Sequence, residues 1–334
     1  MAQPQVGWIG LGSMGIGMAK NLQKHLTSIS APALIYTNRT LSRGEPLKEL
    51  GGIPVETVTE VAQKSTMIFS CVSNDAVLTA TAKEIIASGD IKGKIYADCS
   101  TVHPDTSLAV SKLISAAGGE FVAGTLPLPI SNPFTDKLHH STRLRRLPNG
   151  RSRKANLRHR RPSTGPRKAS TISKRRDGRS VISMGSEVSQ ASLLKIAGNI
   201  CVVSFMEVLS EAHVFAEKTG LGSAILETMI GDMFGPVLES YSKRLTTGAY
   251  APAPGGKAGF GVELAMKDAR HALDCAEKAG TRLQVSEVAL ANMEKAAEFG
   301  EGRPLDSSAM YGTIRREAGL DFFTDLCKER DARK

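Results

Sequence analysis

The sequence predicts an N-terminal α/β domain built on a doubly wound parallel sheet, followed by an all-α C-terminal domain. Three observations carry that expectation. Short apolar runs recur through the first 124 residues, alternating with helical stretches of roughly 10–15 residues. A glycine-spaced turn, Gly10-Leu11-Gly12-Ser13-Met14-Gly15, joins the first apolar run to the first helical one. From about position 183 onward only the helical period remains.

The elements follow in order. Val6-Gly7-Trp8-Ile9 reads as a buried strand, and Met18-Ala19-Lys20-Asn21-Leu22 lies on the helix after the turn. Further strands are expected at 33–36, 53–55, 67–72, 94–97 and 120–123, with helices at 40–50, 58–64, 76–88 and 106–117. Ligands of such sheets sit beyond the carboxyl ends of the strands, so the loops after Ile9, Tyr36, Val72 and Ala97 should surround one crevice. In the C-terminal half, Leu193, Ile196, Ile200, Val203, Leu209 and Val214 recur at helical spacing over 189–218, with Gly220 as the stop. Such a helix would be about 45 Å long. More helices are expected at 224–233, 236–244, 262–279, 286–299 and 307–317.

Bulk composition narrows the function classes. At 334 residues, with 41% hydrophobic and 23% charged residues, the chain has room for two ordinary globular domains. No uninterrupted apolar run approaches the roughly 20 residues that span a bilayer, so no membrane partner is expected. The first strand begins within a few residues of Met1, so no cleavable leader is expected. Cys71, Cys99, Cys201, Cys275 and Cys327 are scattered singly, without metal-ligand spacing. That argues for a reducing, cytoplasmic location and against a bound metal.

The net charge of +10 is concentrated in one place. Residues 126–179 hold 16 of the 43 basic residues and only two acids, Asp136 and Asp177, leaving 27 basic and 31 acidic residues elsewhere. The same stretch has six prolines and no periodic apolar face, a composition expected to stay disordered. The expected organisation is therefore 1–125 as the α/β domain, 126–182 as a basic segment, and 183–330 as a helical domain.

The glycine turn carries the clearest chemistry. A G-x-G-x-x-G turn between a buried strand and an amphipathic helix is the dinucleotide-binding fingerprint. Gly10 permits the tight turn, Gly12 lets backbone approach a pyrophosphate, and Gly15 lets the helix pack on the strand. The helix N-terminus then faces the phosphates. In NAD enzymes an acidic residue about 20 positions further on binds the ribose 2′-hydroxyl. Here the second strand ends in Thr37-Asn38-Arg39-Thr40, with no acid before Glu45. Arg39 can pair with a 2′-phosphate, and Asn38 and Thr40 can donate to it, so NADP is expected over NAD. Lys195 and Asn199 lie four apart on one face of the long helix. A lysine within an apolar face is a proton carrier if buried, or a snorkelling side chain if not. The segment Asp98-Cys99-Ser100-Thr101 ends a strand at the ligand edge, where its hydroxyls either face a ligand or cap the next helix.

Together these motifs resemble the β-hydroxyacid dehydrogenase family, of the 3-hydroxyisobutyrate and 6-phosphogluconate dehydrogenase type. Gly10 to Leu22 matches the family's G-x-G-x-M-G-x-x-M-A-x-N-L, Asp98 to Thr101 its D-x-S-T, and Lys195 to Asn199 its K-x-x-x-N. Phe260 with Lys267-Asp268 corresponds to its later K-D pair. The resemblance covers 5–125 and 183 to about 320. It implies a Rossmann-like first domain in which Gly10, Leu11, Gly12, Ser13, Met14 and Gly15 hold the cofactor pyrophosphate, and Val72 and Ser73 line the adenine-ribose side. It implies Ser100 and Thr101 beside the substrate, Thr101 also beside the nicotinamide, Lys195 as general acid/base, Asn199 orienting the substrate, Phe260 and Lys267 reaching the cofactor, and a helical domain that serves substrate binding and dimerisation. The implied activity is NADP-dependent hydride transfer with a small 3-hydroxy acid or semialdehyde, in a homodimer.

The chain departs from that pattern after Thr125. The family's P-V-S-G-G-like loop, which holds the substrate carboxylate, and the strands after it are replaced by the basic stretch. Abrupt loss and return of a pattern is expected from a reading-frame shift or a misplaced exon boundary. The alternative is a genuine basic insertion that binds a polyanion, which would make the chain a non-enzymatic dinucleotide-binding module. With Phe134 as its only aromatic residue, the stretch offers no stacking platform, and nucleic acid is not the expected partner. Without the carboxylate cradle the chain is expected to be weakly active or inactive.

Overall fold

The computed structural model describes residues 3–124, 182, 184–300 and 302–333. The chain forms two compact units, one of Met1–Ser100 with Pro104–Ala191, the other of Thr101–His103 with Ser192–Lys334. The three residues Thr101–His103 thus group with the helical unit, although they follow a strand of the sheet.

The first unit is a six-stranded parallel sheet. Its strands are β1 (Val6–Ile9), β2 (Ile35–Thr37), β3 (Ile53–Pro54), β4 (Met67–Ser70), β5 (Ile95–Asp98) and β6 (Glu120–Ala123), in spatial order β3-β2-β1-β4-β5-β6. This is the doubly wound order, which reverses between β1 and β4. The register pairs Ile9 with Thr37 and Ser70, Ser70 with Asp98, and Asp98 with Ala123. The carboxyl ends of five strands therefore form one row. Strands β1, β4 and β5 are buried at every position, as expected of a parallel sheet covered on both faces. Trp8 and Phe69 stack with ring centroids 5.9 Å apart in a core shared with Leu22, Leu26, Tyr36 and Met67. The helices are α1 (Ser13–Ser28), α2 (Glu45–Lys48), α3 (Val58–Lys64), α4 (Asp75–Ala87) and α5 (Pro104–Ala116). One expectation needs correction. The helix expected over 40–50 is a 3-10 turn, Leu41–Gly44, followed by the single turn Glu45–Lys48. Pro46 lacks the N–H that would join them into one helix.

The second unit is helical: α6 (Val188–Thr219), α7 (Ser223–Phe234), α8 (Pro236–Thr246), α9 (Val262–Lys278), α10 (Gln284–Phe299), α11 (Met310–Glu317) and α12 (Asp325–Ala332). Contrary to the expectation drawn from uninterrupted apolar runs, α6 is long and apolar enough to cross a membrane. Its buried polar residues mark it as the core helix of a bundle. Asn199 donates to Asp268, Asn292 donates to Glu207, and His213 shares a hydrogen bond with Ser242. Helix α12 was not expected, since Cys327 is its only buried residue and no apolar face announces it. Thr324 caps it by accepting from the Cys327 N–H. The basic stretch 126–179 lies outside the described residues. So do the expectations of disorder, of a frame shift and of polyanion binding attached to it.

Candidate active site

In the first unit the site is the turn that leaves β1. Gly10 takes φ +94°, and a Cβ there would sit 2.3 Å from the Cys71 carbonyl oxygen. A Cβ on Gly15 would sit 2.2 Å from the Gly10 oxygen. Both glycines are fixed by the fold itself. Gly12 is different. Its φ of −66° and ψ of −176° suit any residue, and a Cβ would meet nothing within 4 Å. The open space beside Gly12 adjoins the start of α1, which has no side-chain cap and no acidic residue in its first turn. Uncapped N–H groups, the positive end of the helix and a cleft cleared of side chain suit a phosphate group. Ser13 is exposed and Met14 half-buried at that helix start, while Leu11 is buried in the core.

The neighbouring loops brace this turn. The Gly10 N–H donates to the Thr37 carbonyl, and the Leu11 N–H donates to Asn38 Oδ1 at 2.8 Å. Asn38 Nδ2 donates to the Thr40 carbonyl at 2.8 Å. Asn38 thus ties β2 to the glycine turn, a bracing contact that sequence reasoning missed. Arg39 and Thr40 are exposed beyond the end of β2. Across the strand ends, Ser70 and Ser100 both donate to Asp98 Oδ1, at 2.6 and 2.7 Å, and Ser100 Oγ accepts from the Val72 N–H at 2.8 Å. Tyr96 joins through Ser70 at 2.9 Å, and burial holds its phenol well above the usual range. Ser100 is 2% exposed, with its hydroxyl occupied as donor and acceptor. It therefore positions the Val72-Ser73 loop. Val72 is half-buried and Ser73 exposed.

In the second unit, Asn199 and Lys195 share one face of α6 and meet Asp268 of α9. Asn199 Nδ2 donates to Asp268 Oδ2 at 2.6 Å. Lys267 Nζ lies 2.9 Å from Asp268 Oδ1 and donates to the Thr101 carbonyl. Burial pushes the Asp268 carboxyl up, opposed by the charges of Lys267, Lys195 and His271. Three cationic or potentially cationic groups around one buried acid, with an amide N–H on its second oxygen, partly offset that rise. The half-buried Lys195 ammonium stands in that field. Asn199 is 3% exposed, and its Oδ1 has no hydrogen-bond partner among the described residues. A buried acceptor left unsatisfied costs about 1–3 kcal/mol, which a donor on a bound molecule would recover.

The structure thus brings together Lys195, Asn199, Lys267 and Thr101, with Asp268 as the residue that organises them. The sequence signal for Asp268 was its place beside Lys267, since an acid next to a lysine on a buried helical face needs a partner. The Phe260 N–H donates to Asp306 Oδ2 at 3.0 Å, just before α9 begins. Lys267 is committed to Asp268 and the Thr101 backbone within the second unit.

Comparison with known proteins extends this reading. Residues 5–130 match the profile of the NAD-binding domain of 6-phosphogluconate dehydrogenase. Residues 189–314 match that of the NAD-binding region of NADP-dependent 3-hydroxyisobutyrate dehydrogenase. An NADH-dependent oxidoreductase of Aspergillus ustus is 27% identical over 318 residues, covering 93% of this chain and 99% of its own. Glyoxylate/succinic semialdehyde reductase 1 of Arabidopsis thaliana is 28% identical over 315 residues, covering 93% and 98%. The solved structure of a Mycobacterium tuberculosis 3-hydroxyisobutyrate dehydrogenase with L-serine shares the fold. Its TM-score is 0.67 at 17% identity, covering 94% of this chain and 100% of that one.

Proposed function

Because the chain belongs to the β-hydroxyacid dehydrogenase family, we propose that this NAD(P)-binding oxidoreductase interconverts a small 3-hydroxy acid and its semialdehyde, with NADP preferred over NAD. The dinucleotide, when bound, supplies or removes the hydride. Gly12 and the uncapped start of α1 hold its pyrophosphate. Lys195 Nζ takes the proton of the substrate hydroxyl during oxidation and returns it during reduction. Asn199, its amide held by Asp268, orients the substrate, with Oδ1 open to accept from a donor other than the reacting hydroxyl. The observation that carries this reading is the Lys195-Asn199-Asp268 cluster, in which the buried Asn199 Oδ1 is left as an acceptor for a donor on a bound molecule.

NADP preference rests on the end of β2. No carboxylate precedes Glu45, Asn38 is occupied within the turn, and Arg39 and Thr40 are exposed for a 2′-phosphate. The A. ustus relative is named for NADH, so cofactor choice varies among similar chains. The test is to compare initial rates with NADPH and NADH, using succinic semialdehyde as probe. We expect NADPH to be at least about tenfold more efficient, a preference worth about 1.4 kcal/mol, and Arg39→Ala to abolish most of it. Equal efficiency with both cofactors would overturn the preference. We also propose slow turnover, because residues 126–179 stand where the family's carboxylate-binding loop is expected.

We propose further that the chain is a homodimer in solution. Phe205, Val208 and Phe215 of α6 and Ile225, Met229 and Met233 of α7 are exposed, an apolar surface that monomers rarely leave uncovered. Sedimentation equilibrium should give twice the chain mass, shifted toward the monomer by Phe215→Asp. A monomer at micromolar concentration contradicts it.

A further inference from the structure

Away from the Lys195 cluster, three different ligand atoms converge at the far end of α9. His103 Nε2 lies 2.7 Å from Asp274 Oδ2 and 3.4 Å from Cys275 Sγ, and the three ligand atoms are within 4.8 Å of one another. We infer that His103, Asp274 and Cys275 form a binding site for a thiophilic divalent cation of the zinc class.

An imidazole nitrogen carries at most one proton, yet His103 Nε2 faces both a carboxylate oxygen and a sulfur. A cation between the three would take one lone pair from each of them at once. The donor set of imidazole, thiol and carboxylate suits zinc and excludes the hard, oxygen-seeking magnesium and calcium ions. Binding displaces the thiol proton of Cys275 to solvent. The site then carries one thiolate and one carboxylate against a double positive charge, so it closes electrically neutral. Tetrahedral coordination at about 2.0–2.2 Å from nitrogen and oxygen needs those atoms about 3.3 Å apart, so the His103-Asp274 contact must open by about 0.6 Å. Asp274 is 48% exposed and can move. Lys278, which pairs with the same Asp274 oxygen at 2.9 Å, is 57% exposed and can swing away. The three protein ligands leave a fourth position for water. His271, one helical turn before Cys275, packs edge-on to His103 with ring centroids 5.5 Å apart. The site also lies in the last turn of α9, where the carbonyl end of the helix favours positive charge.

The site has a mechanical consequence. His103 belongs to the short segment Thr101–His103, and Lys267 of the same helix holds the Thr101 carbonyl. A bound cation adds a second clamp between that segment and α9. Thr101 would then be presented more rigidly, and unfolding would be opposed by mass action.

The test uses the full chain, reduced and freed of metal, titrated with cobalt(II) and then with zinc(II) as competitor. We expect a sulfur-to-cobalt charge-transfer band saturating at one equivalent, displaced by zinc, with thermal stability raised by zinc. Cys275→Ser should remove the band, His103→Gln should weaken zinc binding at least about tenfold, and Cys201→Ser, at an exposed cysteine, should change neither. If Cys275→Ser fails to fold, His103→Gln decides alone. No saturable band, a band that survives in both variants, or one lost equally in Cys201→Ser would each overturn the site.

Discussion

Glu207 shows how much a single buried side chain contributes to the behaviour of the helical unit. It is 2% exposed on α6, accepting from Asn292 Nδ2 at 2.6 Å through one oxygen, while Oε2 has no partner among the described residues. Burial pushes its carboxyl up to about 7, and the nearby Glu211 and Glu317 add to the rise. Between about pH 4.5 and 7 the native chain therefore holds a proton at this site that the unfolded chain has released. Its stabilising effect is complete below the unfolded value and is lost as pH rises through that window, by roughly 3 kcal/mol in all. Glu207→Gln should raise the melting temperature at pH 8 and flatten the decline between pH 5 and 7. Unfolding curves at several pH values check this, and a variant whose decline parallels the parent's would contradict it. At this scale sequence reasoning was uneven. Lys195 and Asn199 were legible, because spacing of four on an apolar face is a local property. The occupied hydroxyl of Ser100, the bracing role of Asn38 and the placement of Asp268 were not, because each depends on a partner elsewhere in the chain.

At the scale of elements, the β1-turn-α1 unit separates two reasons for glycine. Gly10 and Gly15 are required by the fold, since a Cβ at either would strike backbone oxygen. Gly12 is not, since a Cβ there meets open space. Gly10→Ala should therefore cost about 2 kcal/mol or more, from backbone strain together with the collision. Gly12→Val should leave the melting temperature within about 1 °C of the parent, as expected of substitutions away from packed groups. It should nevertheless weaken dinucleotide binding at least about tenfold, because it fills the space beside the helix start. Paired melting and cofactor-fluorescence titrations read both outcomes. If Gly12→Val binds as tightly as the parent, the pyrophosphate lies elsewhere. Strand positions were largely legible because parallel strands buried on both faces must be continuous apolar runs. The 40–50 segment and α12 were not, since one turns on a single proline and the other on capping of a polar helix.

Across the whole molecule, the grammar of alternating strand and helix followed by helix alone predicted a doubly wound sheet and a helical part. The structure shows both, with strand ends aligned in one row. Length and composition did not separate α6 from a spanning helix. Only its buried polar partners, contributed by α8, α9 and α10, do so. The family resemblance, carried by four short motifs, holds across both units, since residues 5–130 and 189–314 each match a family profile.

The central claim is that Lys195 moves the substrate proton in a reaction whose hydride belongs to the dinucleotide. The most direct measurement is single-turnover oxidation of NADPH by succinic semialdehyde, with NADPH affinity determined in parallel for the parent and for Lys195→Met. We expect a slow but measurable parent rate, a loss of about 10²–10⁴ in the variant, and NADPH affinity unchanged within about threefold. A variant that keeps the parent's rate, or a parent that binds no dinucleotide, would contradict the account.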